Sequence, residues 1–449
     1  MKYIFVLVAM AMLFAGCDKY LDLEPSQSIS EGIALDSDVN VKSVLMGAYG
    51  LFDNDDIYGG NVLRNSELLG GDGEILWVGT YKGPRDIANK ELVASTTDAT
   101  VQWESSYEVI NSVNNVLSAL DVVNESDRDR VEGEALFLRA LCYFDLTRFY
   151  GLQYEDGQTN SQYAVPLILT PTRGINDDTF VGRSTVEAVY NQVITDLTTA
   201  ASILPVDNGV FASSGAASAL LARVYLQMGN YAGARDAADD VIGSLEYELQ
   251  PSYADVFNND VNTSEDIFAT QITPQDRFSA MTEFFSVPEY GGRDGDIEIL
   301  TGHTDLYDVT DERLALFFTN AGSTFCGKWN NQYGVINLIR LAEMYLIRAE
   351  CNFRLGTTIG ATPLVDYNMV HERAGLLPAG SVNLDDILLE RRLELAFEGF
   401  KIHDIRRLKQ DVGTGPGAFT YDDPKLVFPI PSREIEANPA LADQQNEGY

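Results

Sequence analysis

The stretch Leu388–Lys409, L-L-E-R-R-L-E-L-A-F-E-G-F-K-I-H-D-I-R-R-L-K, carries the sharpest pattern in this 449-residue chain. Leu388, Leu389, Leu393, Ala396 and Phe397 recur at helical spacing, while Glu390, Glu394 and Glu398 fall four apart beside Arg391 and Arg392. That spacing predicts a helix with one stripe packed inward and a charged flank. Gly399 breaks the run. Beyond it Phe400, Ile402, Ile405 and Leu408 resume an apolar face, with Asp404 early and Arg406, Arg407 and Lys409 late, the order a helix dipole favours. The reading is a helix–turn–helix element clamped by ion pairs. Paired glutamates can also do acid–base work, but that needs pockets that separate their pKa values, and here each glutamate has an arginine within one turn.

Outward from this element the pattern stays helical. Val41, Val44, Leu45, Ala48, Leu51 and Phe52 have helical spacing, as do Trp103, Tyr107, Ile110, Asn114 and Leu117. Between them, Asp53–Gly83 reads as a Gly-rich, aromatic-bearing loop of the kind that carries function. Glu132–Tyr150 is apolar nearly all round except for Arg139, Asp145 and Arg148, which predicts a central helix with its charges paired. Val186–Leu204 is a further amphipathic helix, stopped by Pro205.

Alanine-rich Gly215–Ile242 reads as a helical hairpin turning at Gly229, with Leu221, Ala222 and Tyr225 before the turn and Tyr231, Ala234, Ala238 and Val241 after it. This is tetratricopeptide-like spacing, and a looser copy follows at Leu341, Ala342, Tyr345, Ala349, Gly356 and Ala361. The expected fold is therefore mostly α, a scaffold of tetratricopeptide-like hairpins; unrelated antiparallel helix pairs are the plainer alternative. Between the copies, Leu249–Gln332 reads as loop-rich, with short helices or strands. Four units follow: a signal segment over residues 1–16, a tether over 17–40, a helical region over 41–250 and a C-terminal region over 251–449 intergrown with it.

Lys2, the apolar run Ile4–Phe14 and the closing Leu13-Phe14-Ala15-Gly16-Cys17 read as a lipoprotein signal, with cleavage before Cys17 and lipidation of that residue. Several acyl chains on one Cys, each buried methylene contributing about 0.8 kcal/mol, would tether the chain firmly to a membrane. A formal net charge of −36 excludes nucleic acid and anionic lipid as partners on electrostatic grounds. Cys142 and Cys351 sit among helical apolar residues and read as core. His303, His371 and His403 read as surface or capping residues, too few for a histidine-rich metal site. The acidic runs at 53–56, 258–262 and 294–296 lack the EF-hand spacing, so no metal is expected; no cofactor fingerprint or nucleophile motif is present either.

The phrase E-R-R-x-E-L-A-F-E-G-x-x-x-x-D-x-x-R (Glu390–Arg407) resembles the signature of the SusD/RagB family of lipid-anchored, outer-membrane nutrient-binding proteins. Three further phrases resemble that family in order: W-x-x-x-Y-x-x-I-x-x-x-N from Trp103, A-L-F-L-R-A-L-C-Y-F-D-L-T-R-F-Y-G from Ala135, and the close L-V-F-P-I-P from Leu426 to the terminal N-E-G-Y. The resemblance implies a SusD-like scaffold with a loop-rich ligand face, capture of oligosaccharides without cleavage, and delivery to a TonB-dependent transporter of the SusC type. A glycoside hydrolase, a peptide receptor and a protein-interaction scaffold are the alternatives. A pyranose stacks its C–H face on an aromatic ring and hydrogen-bonds at its rim. Trp77, Tyr81 and Arg85, then Tyr290 and Arg293, then Trp329 and Asn331 supply such groups from three loops, and the alternative for either Trp is that it caps the core beneath its loop.

Overall fold

The computed structural model describes residues 35–274 and 278–449. The signal segment, Cys17 and the start of the tether lie outside the described residues. The scaffold is a run of neighbouring antiparallel helices. Helix α1 (Asp38–Phe52) packs on α4 (Thr97–Leu117), α4 on α5 (Glu125–Tyr150), α5 on α6 (Val186–Ile203) and α6 on α7 (Ser214–Met228). The row continues from α7 to α8 (Tyr231–Ser244), then to α11 (Leu341–Leu355) and α12 (Pro363–Arg373). This is the tetratricopeptide-like architecture. Each hairpin follows from its sequence: Gly229 at φ 79° and Gly356 at φ 64° end α7 and α11 in the left-handed region that glycine adopts without strain. Asn230 and Thr362 then cap the partner helices. Ala216, Ala217, Ala219, Ala222, Ala234 and Ala238 are fully buried, and it is their size that lets α7 and α8 approach.

Helix α5 is the axis of the molecule, buried almost continuously from Val131 to Tyr150. At about 1.5 Å per residue it runs roughly 40 Å. Its charges are paired as expected: Arg139 makes two 2.8 Å hydrogen bonds to Asp196 and one of 2.9 Å to Asn114, and Asp145 accepts from Tyr58 at 2.8 Å and from Arg148. The chain's last residues close on the same helix. Asn446 Nδ2 donates to the carbonyls of Tyr150 and Phe428, and Phe428 packs on Phe149 and Tyr150. One apolar core extends from Val41 to Leu441.

The Leu388–Lys409 element differs from its expected form in two ways. Helix α13 (Leu384–Glu394) stops at Glu394, five residues before the glycine, and α14 (Lys401–Arg407) follows a turn with Phe397 at φ 63° and Gly399 at φ 88°. Tertiary donors take the carbonyls that would have continued the helix. Tyr253 OH and Lys328 Nζ donate to Glu394 O at 2.6 and 3.2 Å, Lys328 Nζ to Ala396 O at 2.7 Å, and Trp329 Nε1 to Phe397 O at 3.2 Å. Gly399 is required for space as well as for φ, because a Cβ there would sit 2.9 Å from Leu63 Cα.

The second difference is burial. Glu390, Glu394 and Glu398 are not an exposed flank; all three are at most 4% exposed. Arg340 is their hub, reaching Glu265 at 2.6 Å, Glu394 at 2.9 Å and Glu398 at 2.7 Å, while Arg313 reaches Glu390 at 2.6 Å and Arg373 bonds Glu265 and Glu394. Burial alone would raise the Glu394 pKa, but the surrounding Arg373, Arg340, Arg313 and Lys328 outweigh it and hold the group at about 2. A network of this kind costs several kcal/mol per ion to desolvate, and it tolerates that cost only while every charge keeps its partner.

Among the described residues three two-stranded antiparallel pairs interrupt the helical row: β1 (Ile75–Trp77) with β3 (Ile297–Ile299), β2 (Asp266–Thr270) with β6 (Ile336–Arg340), and β4 (Phe317–Asn320) with β5 (Ser323–Cys326). Within the expected 53–83 loop the chain instead forms α2 (Asn61–Gly70), a helix buried on every side except at Asn61. Its polar residues hid it. Arg64, Asn65 and Glu67 face partners in the interior, with Asn65 donating to Gln102 at 2.9 Å and Glu67 accepting from Gly399 N at 2.9 Å. The histidines also depart from expectation, since His303 and His403 are buried. Cys142, Cys326 and Cys351 are free thiols in the core. No helix among the described residues is long and apolar enough to cross a membrane.

Candidate functional site

Strand β1 alternates cleanly. Ile75 and Trp77 point inward and Leu76 outward, as period-2 geometry requires. Trp77 pairs with Ile297, and Val78 N donates to Asp296 O at 2.8 Å, which extends the ladder towards a tight turn. At Gly79 a Cβ would lie 2.5 Å from the Trp77 ring and 2.7 Å from the Asp296 carboxyl, so only glycine lets the turn close here. Thr80 and Tyr81 emerge beyond it, and α3 (Lys82–Asn89) leads the chain away.

Around this turn a side-chain constellation forms. Arg293 donates from Nε to Asp296 at 2.9 Å and from Nη2 to Thr80 Oγ1 at 2.7 Å, and its guanidinium lies 3.9 Å from the centroid of the Tyr81 ring. Phe284, on α9 (Ala280–Phe285), packs beneath both Trp77 and Tyr81, at 5.8 and 6.1 Å between ring centroids. Arg64 covers the Phe284 ring at 4.5 Å. Tyr290 sits edge-on to Phe318 of the β4–β5 hairpin at 5.5 Å, and Ser323 of that hairpin donates to Glu298 of β3 at 2.7 Å. Leu76, Val78, Tyr81 and Tyr290 are exposed. Burial is the leading reason that the carboxyls of Glu283 and Asp296 are shifted upward; beside Arg293, hydrogen bonding to Tyr81 and Asp296 outweighs burial and shifts the guanidinium upward.

Of the seven residues proposed from sequence, Tyr81 and Arg293 meet at this turn, and Tyr290, also exposed, packs against the β4–β5 hairpin. Arg85 is exposed one turn into α3, and among the described residues no hydrogen bond or ion pair joins it to them. The two tryptophans correct the expectation of exposed rings. Trp77 is 8% and Trp329 3% exposed, so each caps the core beneath its loop, as the alternative reading had it. Burial was arranged by neighbours distant in sequence: Phe284 and Asp296 for Trp77, and Phe257 with the Phe397 carbonyl for Trp329. Asn331 is a turn organiser, donating to Asn258 O at 3.1 Å and Asp260 at 2.8 Å while accepting from Tyr333 N. Its segment still buttresses the face, because the carbonyls of Asn331 and Gln332 accept from Thr282 and Ser279 at the head of α9.

Sequence reasoning missed Thr80, Phe284 and Asp296. Only the alternating Ile75-Leu76-Trp77-Val78 run offered a local signal, since it marks a strand whose odd positions turn inward.

Two family models together match residues 19–449. Residues 19–226 match a family described as starch-binding and associating with the outer membrane, and residues 227–449 match the SusD family. This chain belongs to the SusD/RagB family. Among relatives of this SusD-like chain, a SusD-like protein of Bacteroides ovatus is 26% identical over 89% of this chain and 81% of its own length. A SusD-like protein of Formosa agariphila is 24% identical over the full length of both. Among solved structures, a SusD superfamily protein of Bacteroides thetaiotaomicron superposes with a TM-score of 0.81 at 27% identity, covering 91% of this chain and 99% of that one. A Bacteroides vulgatus structure named for sugar binding superposes with a TM-score of 0.82 at 25% identity, covering 92% and 98%.

Proposed function

We propose that this SusD-like protein is a cell-surface receptor that captures oligosaccharides on the Tyr81–Arg293–Tyr290 face and releases them, uncleaved, to a TonB-dependent transporter of the SusC type. Cys17 is its lipid anchor at the outer membrane. The observation that carries the reading is the exposed Tyr81 ring held by Arg293, with Thr80 and Asp296 fixing that arginine. A ring locked in this way presents a flat apolar surface at little entropic cost, and the surrounding hydroxyl, guanidinium and carboxylate groups match a sugar's rim. The match to a starch-binding family over residues 19–226 and the likeness to a Bacteroides vulgatus protein named for sugar binding support a carbohydrate ligand.

The test is a glycan screen on protein lacking residues 1–17, followed by calorimetry on each hit. Tyr81→Ala should weaken binding about tenfold, which is about 1.4 kcal/mol, with the fold intact. Release of reducing ends by the pure protein would overturn the receptor reading, and so would a folded protein that binds no glycan. Transporter coupling is tested separately, by co-purification from outer membranes with Cys17 intact and with Cys17→Ser.

A further inference from the structure

The basic groups that hold Tyr81 in place are already matched by acidic ones. Arg293 donates from Nε to Asp296 at 2.9 Å and from Nη2 to Thr80 Oγ1 at 2.7 Å, so its charge has a partner before any ligand arrives. Lys82, the first residue of α3, is bonded to Asp86. Arg64, which covers the Phe284 ring, is matched by Asp98.

Glu283 is different. It precedes Phe284 on α9, the ring that packs beneath Trp77 and Tyr81, and its backbone carbonyl accepts from Arg293 N at 2.9 Å. Its side chain is only partly buried, and among the described residues its carboxyl makes no hydrogen bond or ion pair. Burial pushes that carboxyl up; the Arg64 and Arg293 guanidinium groups oppose the shift, while the Asp55 and Asp296 carboxylates add to it. Asp294, exposed and next to Arg293 in the chain, acts on Asp296 in the same sense. Arg85 is exposed one turn into α3 and is joined to none of these groups.

The turn therefore carries a surplus of acceptors and of negative charge beside its exposed ring. A neutral sugar brings hydroxyl donors, which a carboxylate accepts. A uronate or a sulfate ester brings another anion to a place where the neighbouring guanidinium is already matched, and like charges set against each other cost binding. The formal net charge of −36 adds repulsion at longer range.

We infer that the tyrosine face discriminates among glycans by charge, accepting uncharged ones and rejecting those that bear uronate or sulfate, with Glu283 as the residue that sets the preference. This inference rests on the saccharide reading and adds a ligand class to it. Glu283 accepts from the hydroxyls of a neutral sugar beside Tyr81 and repels an acidic substituent in the same position.

The experiment is calorimetry at pH 8 on protein lacking residues 1–17, with starch, dextran, laminarin, xylan and mannan, each paired with its own sulfate ester so that linkage is constant within a pair. At low salt the neutral member of each pair that binds should bind at least tenfold more tightly than its sulfate. Sulfate esters are also bulkier, and two readouts isolate charge from size. Raising NaCl to about 0.5 M, where screening confines charge effects to a few ångströms, should narrow the gap at least threefold. Glu283→Gln, which keeps the shape of the side chain, should narrow it by a similar factor at low salt. Sulfated glycans that bind as well as their neutral partners or better, through Arg85 or any other cation, would overturn the inference, and so would a gap that neither salt nor Glu283→Gln narrows. A gap that salt narrows and Glu283→Gln does not would assign the discrimination to net charge and overturn the role of Glu283. Failure of every glycan, neutral and sulfated alike, would remove the saccharide reading itself. If the unfolding midpoint shows that Glu283→Gln misfolds, Glu283→Ala takes its place.

Discussion

The tyrosine face and the cleft between α13, α14 and the 410–414 turn are built from the two ends of one short segment, and they differ in how the fold has used their charges and rings. Glu74 stands in the cleft wall, and three residues on, the strand turns towards Tyr81. On the face the cation has its partners: Arg293 is satisfied by Thr80, Asp296 and the Tyr81 ring, so the arginine serves to hold an exposed aromatic surface. In the cleft Phe400 is covered by the Arg223 and Arg391 guanidinium groups, and Arg391, Arg392 and Lys401 are paired with Asp404 and Glu74. The same residue types thus give a stacking surface in one place and a closed ion-paired wall in the other. What separates them is which group has already been satisfied by the fold.

The largest effect should erase the comparison altogether. Arg340→Leu removes the hub that holds Glu265, Glu394 and Glu398; the turn these residues position accepts from Lys328 and Trp329, and the same segment's Asn331 and Gln332 carbonyls hold the head of α9 beneath the face. Breaking a buried network from one side costs about 3–5 kcal/mol, to be read from urea unfolding midpoints, and glycan binding should fall with it. If glycan binding survives intact, the face does not rest on this network.

A smaller effect should appear with pH. Burial pushes the Glu67 carboxyl up to about 7, although Lys401 and the Gly399 and Lys401 amides oppose it. A raised carboxyl favours folding below its unfolded value of about 4.5, so its contribution is lost as pH climbs from there through 7. Glu74 behaves oppositely. Burial would raise it, but His303, Lys401 and Arg392 outweigh burial and hold it at about 2, so its contribution is present above about 4.5 and fades as pH falls towards 2. In urea titrations across pH 4 to 8, Glu67→Gln should flatten the decline with rising pH by about 1–3 kcal/mol, while glycan binding stays the same.

On the face itself, Tyr81→Ala should lower glycan affinity about tenfold, or 1.4 kcal/mol, with the fold intact. The smallest change is expected from Trp77→Phe. The indole Nε1 is buried without a partner, so losing it removes an unmet donor, and the ring is too covered to reach a ligand. Stability should shift by less than about 1 kcal/mol and glycan affinity should stay the same. A marked affinity loss with Trp77→Phe would restore the tryptophan as a ligand platform.

Much of the scaffold was legible because local periodicity and helix punctuation agree there. The hairpins at Gly229 and Gly356, the axial helix ending at Gly151 and the boundaries of α6 all follow from apolar spacing plus a glycine, a proline or a cap. The site was legible in part. Tyr81, Tyr290 and Arg293 declared themselves as aromatic and cationic residues in Gly-rich loops, but exposure depends on what folds over a side chain, and Phe284 and Phe257 arrive from far along the chain.

By itself, the sequence determined the helical row, its order and its turns, since 3.6-residue spacing and left-handed glycines act within a few residues. It also fixed which side chains were available for chemistry. Only the tertiary structure decided where α13 ends, which glutamates are buried, that α2 is a helix, and which rings and guanidinium groups remain open to a ligand. Those outcomes depend on hydrogen-bond and ion-pair partners tens to hundreds of residues away, such as Lys328 on the Glu394 carbonyl or Glu67 on the Gly399 amide. A local pattern cannot specify them, because a polar group's burial is set by the partner that meets it.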